Sequence, residues 1–324
     1  MVNEGKLIAF GPVPSRRLGQ SLGINNIPPK ICSYSCIYCQ LGRTNNIQVN
    51  REKFYKPEEI MHAVGDKVKE SQERKEPIDY LTFVPDGEPT LDINLGEEIE
   101  QLRPLGIKIA VITNSSLIWD KEVRDDLSKA DWVSVKIDAI SQNIWHKISR
   151  PHGSLKLQKL LKGILDFSDS FSGYLVTETM LIQDINDDGA ELENIADFIS
   201  NLNIKKSYVS IPTRPPAEKW VKSATEDKIN GAYQIFKERG IDVEYLIGYE
   251  GNAFAYAGNA EEDLLSITSV HPMKEEAITE FLKKADSNWD IIKKLIEEKK
   301  LVEIKYKENK FYMRKLPRKR DIIY

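Results

Sequence analysis

Three cysteines occupy the stretch PKICSYSCIYCQLGRT, residues 29–44, and the chain holds no others. Their spacing is Cys32-x3-Cys36-x2-Cys39. Thiolates so close together on one loop converge on one metal centre. A structural zinc wants four ligands, commonly in paired Cys-x-x-Cys halves. Here the fourth ligand is missing, and the nearest histidine in sequence, His62, falls on an expected helix. A redox pair needs two cysteines and a catalytic thiol one, so either leaves sulfur unexplained. A four-iron, four-sulfur cluster accounts for all three. Three thiolates hold three irons, and the fourth iron stays open to a small ligand. A cluster held by four thiolates usually only passes electrons; an open iron also binds a small molecule and delivers an electron into it.

The other chemistry-bearing groups sit where β-rich runs end. Gly87, Glu88 and Pro89 follow the run 79–85, and Thr113 and Asn114 close 107–114. Ser134, Lys136 and Asp138 alternate along 131–138, so they share a face. That face is either a polar lumen wall or an internal Lys–Asp pair. In YLVTETML, Thr177 and Thr179 share one face and Glu178 takes the other, toward a lumen. Thr213 and Arg214 end the run 206–213 in IPTRPPAE. Arg214, stiffened by two prolines, is a cationic mouth residue suited to a phosphate or carboxylate, and Arg150 in ISRPHGS is a weaker counterpart. Arg16 and Arg17 either close the bottom of the fold or reach the site. The histidines, His62, His146, His152 and His271, show no ligand spacing; His271 in VHPM reads as an interdomain joint.

Elements that position such residues follow from periodicity. Strands are expected at 21–27, 79–85, 107–114, 131–138, 174–182, 206–213 and 243–250. Between them lie amphipathic helices. Ile60, Val64 and Val68 form one apolar face in 57–71, and Leu192, Ile195, Phe198 and Leu202 another in 191–202. Strands alternating with helices predict parallel βαβ units, because parallel neighbours need a crossover. About six such units make an α/β body, either an open doubly wound sheet or part of a barrel. In both, chemistry belongs at the C-terminal ends of the strands. After SVHPM (269–273) the pattern changes to helices at 274–285 and 288–300, then a hairpin turning at 307–309. That order is the outline of a winged-helix module. The expected division is a core of 1–265, a winged-helix-like domain of 266–317 and a basic tail of 318–324.

At 324 residues, with 41% hydrophobic and 30% charged side chains, the chain is an ordinary globular protein. No secretory signal and no membrane span are apparent, and an odd, low cysteine count points to a reducing, cytoplasmic setting. Net charge is −4, unevenly spread. From Lys274 onward 15 Lys and Arg face 10 Asp and Glu; the rest carries 31 against 40. The basic end suits either an acidic partner or a plain solvated surface.

The string CSYSCIYC, with Tyr38 ahead of its last cysteine, resembles the CxxxCxxC signature of the radical S-adenosylmethionine (radical SAM) enzymes. FVPDGEPTL, VITNSSL and VSVKIDAI resemble the family's successive strand-end motifs, and the likeness covers roughly residues 10–215. The longer string GPVPSRRLGQSLGIN resembles an iron–sulfur oxidoreductase-type branch, distantly similar to the radical SAM enzymes that make the tricyclic wyosine base in tRNA. The resemblance implies a partial (β/α)6 TIM-type barrel. It implies one [4Fe-4S] cluster on Cys32, Cys36 and Cys39, with S-adenosyl-L-methionine (SAM) chelating the open iron. Reductive cleavage would then give a 5′-deoxyadenosyl radical that abstracts hydrogen from substrate. Tyr38 would pack near adenine. Gly87, Glu88 and Pro89 would meet the SAM ammonium group, since glycine lets the backbone approach and oxygens accept from a cation. Thr113 and Asn114 would bond the ribose or cap the next helix. Ser134, Lys136 and Asp138 would meet the SAM carboxylate and ribose. Arg214, Thr213 and Arg150 would face substrate.

The implied partners are a reducing protein such as a flavodoxin or ferredoxin, and a tRNA or peptide substrate gripped by the C-terminal domain. An iron–sulfur redox regulator also combines three cysteines with a winged helix. It requires no long βα body and no Gly-Glu-Pro strand end. With no cysteine after Cys39, a second thiolate-held cluster is excluded.

Overall fold

The computed structural model describes residues 8–247, 254, 256 and 259–315. A hairpin of β1 (Ala9–Ser15) and β2 (Gly19–Ile24) opens it, followed by the short strands β3 (Ile31–Cys32) and β4 (Asn46–Ile47), which pair with each other. Helices and strands then alternate: α1 (Pro57–Glu73), β5 (Tyr80–Phe83), α2 (Leu95–Leu102), β6 (Lys108–Thr113), α3 (Lys121–Leu127) and β7 (Trp132–Lys136). Next come α4 (Gln142–Ser149), α5 (Leu157–Ser170), β8 (Tyr174–Met180), α6 (Gly189–Ser200), β9 (Lys206–Ser210), α7 (Glu226–Glu238) and β10 (Val243–Leu246). The chain ends in α8 (Ala260–Val270), β11 (Met273–Lys274), α9 (Glu275–Lys284), α10 (Asp290–Glu297), β12 (Leu301–Tyr306) and β13 (Asn309–Arg314).

In the described residues the main sheet runs β1-β2-β5-β6-β7-β8-β9-β10. From β2 onward every neighbouring pair is parallel, so the helices must cross over one face. That face presents Phe83, Val111, Val133, Leu175 and Val209 to the helices, among them Ile60, Val64 and Val68 of α1. The opposite face curls on itself. Leu18, Ala110, Trp132, Val176, Tyr208 and Leu246 come from the first hairpin through to the last strand, yet form one cluster. A flat sheet cannot bring both edges together, so this is a half-barrel with a filled lumen. The α/β partial TIM-type barrel is therefore the observed fold, its seven parallel strands joined by six crossovers as expected.

β1 is the longest strand that periodicity missed; the two-residue β3, β4 and β11 were missed as well. Pro12 and Pro14 remove two ladder donors, which confines such a strand to a sheet edge, and β1 is that edge. Its Phe10 and Val13, on the face opposite the helix-covered Ala9, belong to a second core with Leu264, Ile267, Phe281 and Leu295. The strand expected at 243–250 ends at Leu246, and residues 248–250 lie outside the described ones.

At the C-terminal end an antiparallel sheet, ordered β11-β13-β12, packs with α8, α9 and α10. The expected boundary between residues 265 and 266 falls inside α8, whose Leu264 and Ile267 serve one core. The tail 318–324 lies outside the described residues. This module also touches the loop after β9. Tyr306 OH donates to the Pro212 carbonyl (3.2 Å), and Lys307 Nζ to Ser223 Oγ (3.1 Å). Among the described residues no helix is long and apolar enough to cross a membrane.

Beneath the Gly87–Pro89 segment two carboxyls are buried together, Asp92 and Glu98 of α2. Burial, and then the neighbouring Asp92, push the Glu98 carboxyl up to about 9. The native protein therefore keeps a proton that the unfolded chain releases above the ordinary Glu range, so stability falls as pH rises through that window. Glu98→Gln is neutral at every pH. It is expected to flatten this decline, with urea unfolding showing wild type losing on the order of 2 kcal/mol more than the variant between pH 5 and pH 9.

Candidate active site

A cavity of about 340 Å³ opens at the C-terminal ends of the barrel strands, and the side chains of Cys32, Cys36 and Cys39 line it. All three are free of disulfides. Their loop is tied down on both sides. On one, Ile31 bridges to Gly87, and Glu88 N donates to the Ile31 carbonyl (3.2 Å). A Cβ on Gly87 would lie 1.9 Å from that carbonyl oxygen, so only glycine permits the approach. On the other side, Ile37 N donates to Ile148 O (2.9 Å), Ser35 N to Ser149 O (3.0 Å), and His152 N to Ser33 O (2.9 Å). The loop is thus strapped to the end of α4. Glu218 clamps it from above: its N–H donates to Ile37 O (3.0 Å) while its carboxylate accepts from Arg43 Nε (2.8 Å) and Arg150 Nη1 (2.5 Å).

Burial pushes each thiol up, Cys32 to about 12 with Glu88 adding to the effect. For Cys39 the Lys30 ammonium counteracts part of the rise. Such thiols ionise only when a positively charged group joins them. Among the described residues no three His, Cys, Asp or Glu side chains gather closely enough to hold a single metal ion. The three cysteines share one cavity wall.

Glu88 is the hub of the strand ends. Its carboxylate is buried and accepts from Thr113 Oγ1 (2.6 Å), Thr90 Oγ1 (2.6 Å), Thr90 N (3.2 Å) and Asn114 N (2.7 Å). Burial raises its pKa, against the pull of these donors. It also caps the short 3-10 turn Pro89–Leu91. Asn114 in turn donates from Nδ2 to Cys32 Sγ (3.4 Å) and Ser33 Oγ (3.0 Å), tying the second strand end to the cysteine loop.

The lumen side carries a charge network. Lys136 Nζ donates to Glu178 Oε1 (2.9 Å) and lies 5.1 Å from the Tyr38 ring centroid. Arg17, from the turn between β1 and β2, reaches up the lumen to pair with Glu178 from the other side. Ser210 Oγ completes the set around that carboxylate (3.1 Å). Tyr38 OH donates to Asp138 Oδ2 (2.5 Å), and Asp138 Oδ1 accepts from Met180 N (2.8 Å).

The structure therefore brings most of the sequence candidates to one cavity. Its lining includes Tyr38, Gly87, Glu88, Thr113, Asn114 and Lys136 besides the cysteines, and Thr213 and Arg214 at the mouth. Four candidates stand apart. Pro89 starts the 3-10 turn behind the wall. Ser134 is buried lower on β7, and Asp138 bonds Tyr38 and Met180 and pairs with Lys136 (3.6 Å) behind the lining. Arg150, in a left-handed conformation (φ 44°) at the end of α4, holds Glu218 outside the cavity. Arg214 donates to Gln40 Oε1 (3.0 Å) and meets His271 Nε2 (2.7 Å), so His271 does join the two modules. Sequence reasoning left the roles of Arg16 and Arg17 open; both line the cavity floor. It missed Lys30, Asp86 and Gln40, which lie inside the quoted strings but were given no role.

Residues 26–199, more than half of the chain, match the family model of the radical SAM superfamily. A UPF0026 protein of Methanocaldococcus jannaschii is 49% identical over 311 residues, 95% of this chain and 96% of that one. Among solved structures, a radical SAM methyltransferase from Sphaerobacter thermophilus superposes with TM-score 0.52 at 16% identity, over 70% of this chain and 66% of that one. TYW1 with a lysine-pyruvate adduct bound superposes with TM-score 0.51 at 18% identity, over 67% and 73%. At such identities the structures speak for the fold alone, and the fold agrees with the sequence match. The half-barrel, the Cys-x3-Cys-x2-Cys loop at its open end and these likenesses together assign the chain to the radical SAM superfamily of enzymes.

Proposed function

We propose that this enzyme holds one [4Fe-4S] cluster on Cys32, Cys36 and Cys39, binds SAM against the neighbouring strand ends, and acts on a base of RNA. The observation that carries the reading is the shared cavity: three thiols from one loop face the polar ends of β5, β6 and β7. The donor set fits: three half-buried, disulfide-free thiols from one loop line the same cavity. Bound there, the cluster and SAM supply a 5′-deoxyadenosyl radical that takes hydrogen from substrate.

The chain's own residues position and shield. Gly87 lets the backbone approach, so its carbonyl and that of Glu88 serve the SAM ammonium group. Tyr38, fixed by Asp138, flanks adenine. Lys136 serves the carboxylate while keeping Glu178. Apolar side chains in the lining, among them Val84, Ile112, Met180 and Leu246, exclude water from the radical's path. Arg214 and Thr213 at the mouth suit an anionic part of the substrate.

Three features support RNA. The C-terminal order of α8, β11, α9, α10, β12 and β13 reads as a winged helix, a fold that often carries nucleic acid. That end holds an excess of Lys and Arg. The string GPVPSRRLGQSLGIN resembles a branch distantly similar to the enzymes that make the wyosine base in tRNA. A reducing protein such as a flavodoxin or ferredoxin would supply the electron, in the cytoplasm.

Anaerobic reconstitution, reduction with dithionite and addition of SAM is expected to release 5′-deoxyadenosine, quantified by chromatography; none from iron-loaded protein would overturn the enzyme reading. Bulk tRNA is expected to bind at low salt and to weaken as salt rises, as phosphate contacts require. No binding at low salt would remove RNA and leave a peptide substrate.

A further inference from the structure

We infer that Lys30 and Asp86 form a buried charge pair that sets the reduction potential of the cluster, the lysine raising it and the aspartate lowering it. The inference rests on the cluster assignment above.

The two side chains are only 9% and 6% exposed, with Nζ 3.5 Å from Oδ1, and both line the cavity beside Cys39. The ammonium lies under the turn that follows Cys39. Gly42 N donates to the Cys39 carbonyl (3.1 Å), and a Cβ on Gly42 would sit 3.9 Å from Lys30 Nζ.

Nothing in the local backbone calls for a lysine here. Lys30 N donates to Asp86 O (2.7 Å), and its carbonyl accepts from Asn45 N (3.2 Å) and Asn46 N (3.1 Å); any residue makes these bonds. Its φ of 65° lies in the left-handed region that favours glycine or asparagine. A buried ion pair is also a poor source of stability, since apolar replacements are often as good. What the lysine adds is a fixed positive charge at the cavity wall. Of the other basic side chains in the lining, Lys136 and Arg17 meet Glu178, and Arg214 meets Gln40 and His271.

Reduction adds one electron from a low-potential one-electron donor. The cluster gains one unit of negative charge; no bond breaks and no proton moves. In a site of low dielectric, a nearby fixed cation stabilises the reduced form and a nearby anion opposes it. The pair thus gives two handles of opposite sign on one equilibrium, and it touches the electron-transfer step without touching substrate.

Wild type, Lys30→Met, Lys30→Arg and Asp86→Asn would be reconstituted anaerobically, assayed for iron and sulfide, and titrated with dithionite through mediators. The reduced cluster is followed by electron paramagnetic resonance with no SAM present. Lys30→Met is expected to make reduction about tenfold less favourable, about 59 mV to lower potential for one electron. Asp86→Asn is expected to move the midpoint upward, and Lys30→Arg to stay near wild type. Midpoints that do not move, or that move the same way in Lys30→Met and Asp86→Asn, overturn the inference. If Lys30→Met loads no iron, the upward shift in Asp86→Asn and the unchanged Lys30→Arg decide it. Wild type without a cluster would instead overturn the functional assignment, so the two failures are distinguishable.

Discussion

Cys36→Ala, reconstituted anaerobically, is expected to carry far less iron than wild type and to release no 5′-deoxyadenosine. Loss of a partner in the outer shell of a metal site already costs roughly 10–100-fold in affinity, so loss of a direct ligand should exceed that. The variant should still fold. Cys36 packs among partly buried apolar side chains, and its loop is held by backbone bonds from Ser35 and Ile37 to the end of α4 rather than by sulfur. Circular dichroism and thermal unfolding of the metal-free proteins should therefore be nearly superimposable, while iron content and the absorbance of the cluster are lost. The same pattern is expected for Cys32→Ala and Cys39→Ala. Zinc in the wild-type protein, or a cluster whose resonance ignores added SAM, would sink the assignment. So would a Cys36→Ala protein that binds iron as wild type does.

Much of this was readable from the chain because the informative features are periodic or clustered. Ile60, Val64 and Val68 announce α1 by their spacing and are buried as that spacing requires. The alternation in YLVTETML turns Glu178 to the lumen while Thr177 and Thr179 are buried on the opposite face of β8. The cysteine triplet needs no fold to be noticed. Other features depend on distance across the fold. Arg17 is separated from Glu178 by 161 residues, and nothing in SRRLG says that a turn at the foot of the barrel sends a guanidinium up its lumen. β1 escapes for another reason. Strand preference is judged by residue type, and AFGPVPS holds two prolines and a glycine; only an edge position with a helix laid against it makes a strand of it. Lys30 looks like any surface lysine until its neighbours are placed. Asp138 is a mixed case. It was grouped with Lys136 by alternation; the strand ends at Lys136, and beyond it Asp138 bonds Tyr38 and Met180, yet its Oδ1 stays 3.6 Å from Lys136 Nζ, so the internal Lys–Asp pair is present even though Asp138 does not line the cavity.

Glu178→Gln is expected to destabilise the protein by about 3–5 kcal/mol, the usual cost of breaking a buried ion pair from one side. The substitution keeps shape but leaves Lys136 and Arg17 in the lumen without the carboxylate both of them meet. Acid unfolding should change as well. Burial alone would push the Glu178 carboxyl up, but Lys136 and Arg17 outweigh it and hold the group well below the usual carboxylate range. The unfolded chain takes up a proton near the ordinary Glu value of about 4.3, and the folded protein does not. The stabilisation is therefore present above that value and is lost as pH falls below it. Glu178→Gln should lose this part of the acid sensitivity, so the gap between the two proteins narrows from pH 7 toward pH 3 in urea titrations. Adding Arg17→Met removes the guanidinium that met Glu178, while Lys136 keeps Asp138 (3.6 Å), and the double variant should recover part of the loss, a coupling that additive, unconnected sites would not show. If Glu178→Gln unfolds like wild type at both pH values and Arg17→Met simply adds its own cost, the lumen network does not hold the barrel wall together. Tyr38 and Lys136 would then owe their positions to the strand ends alone.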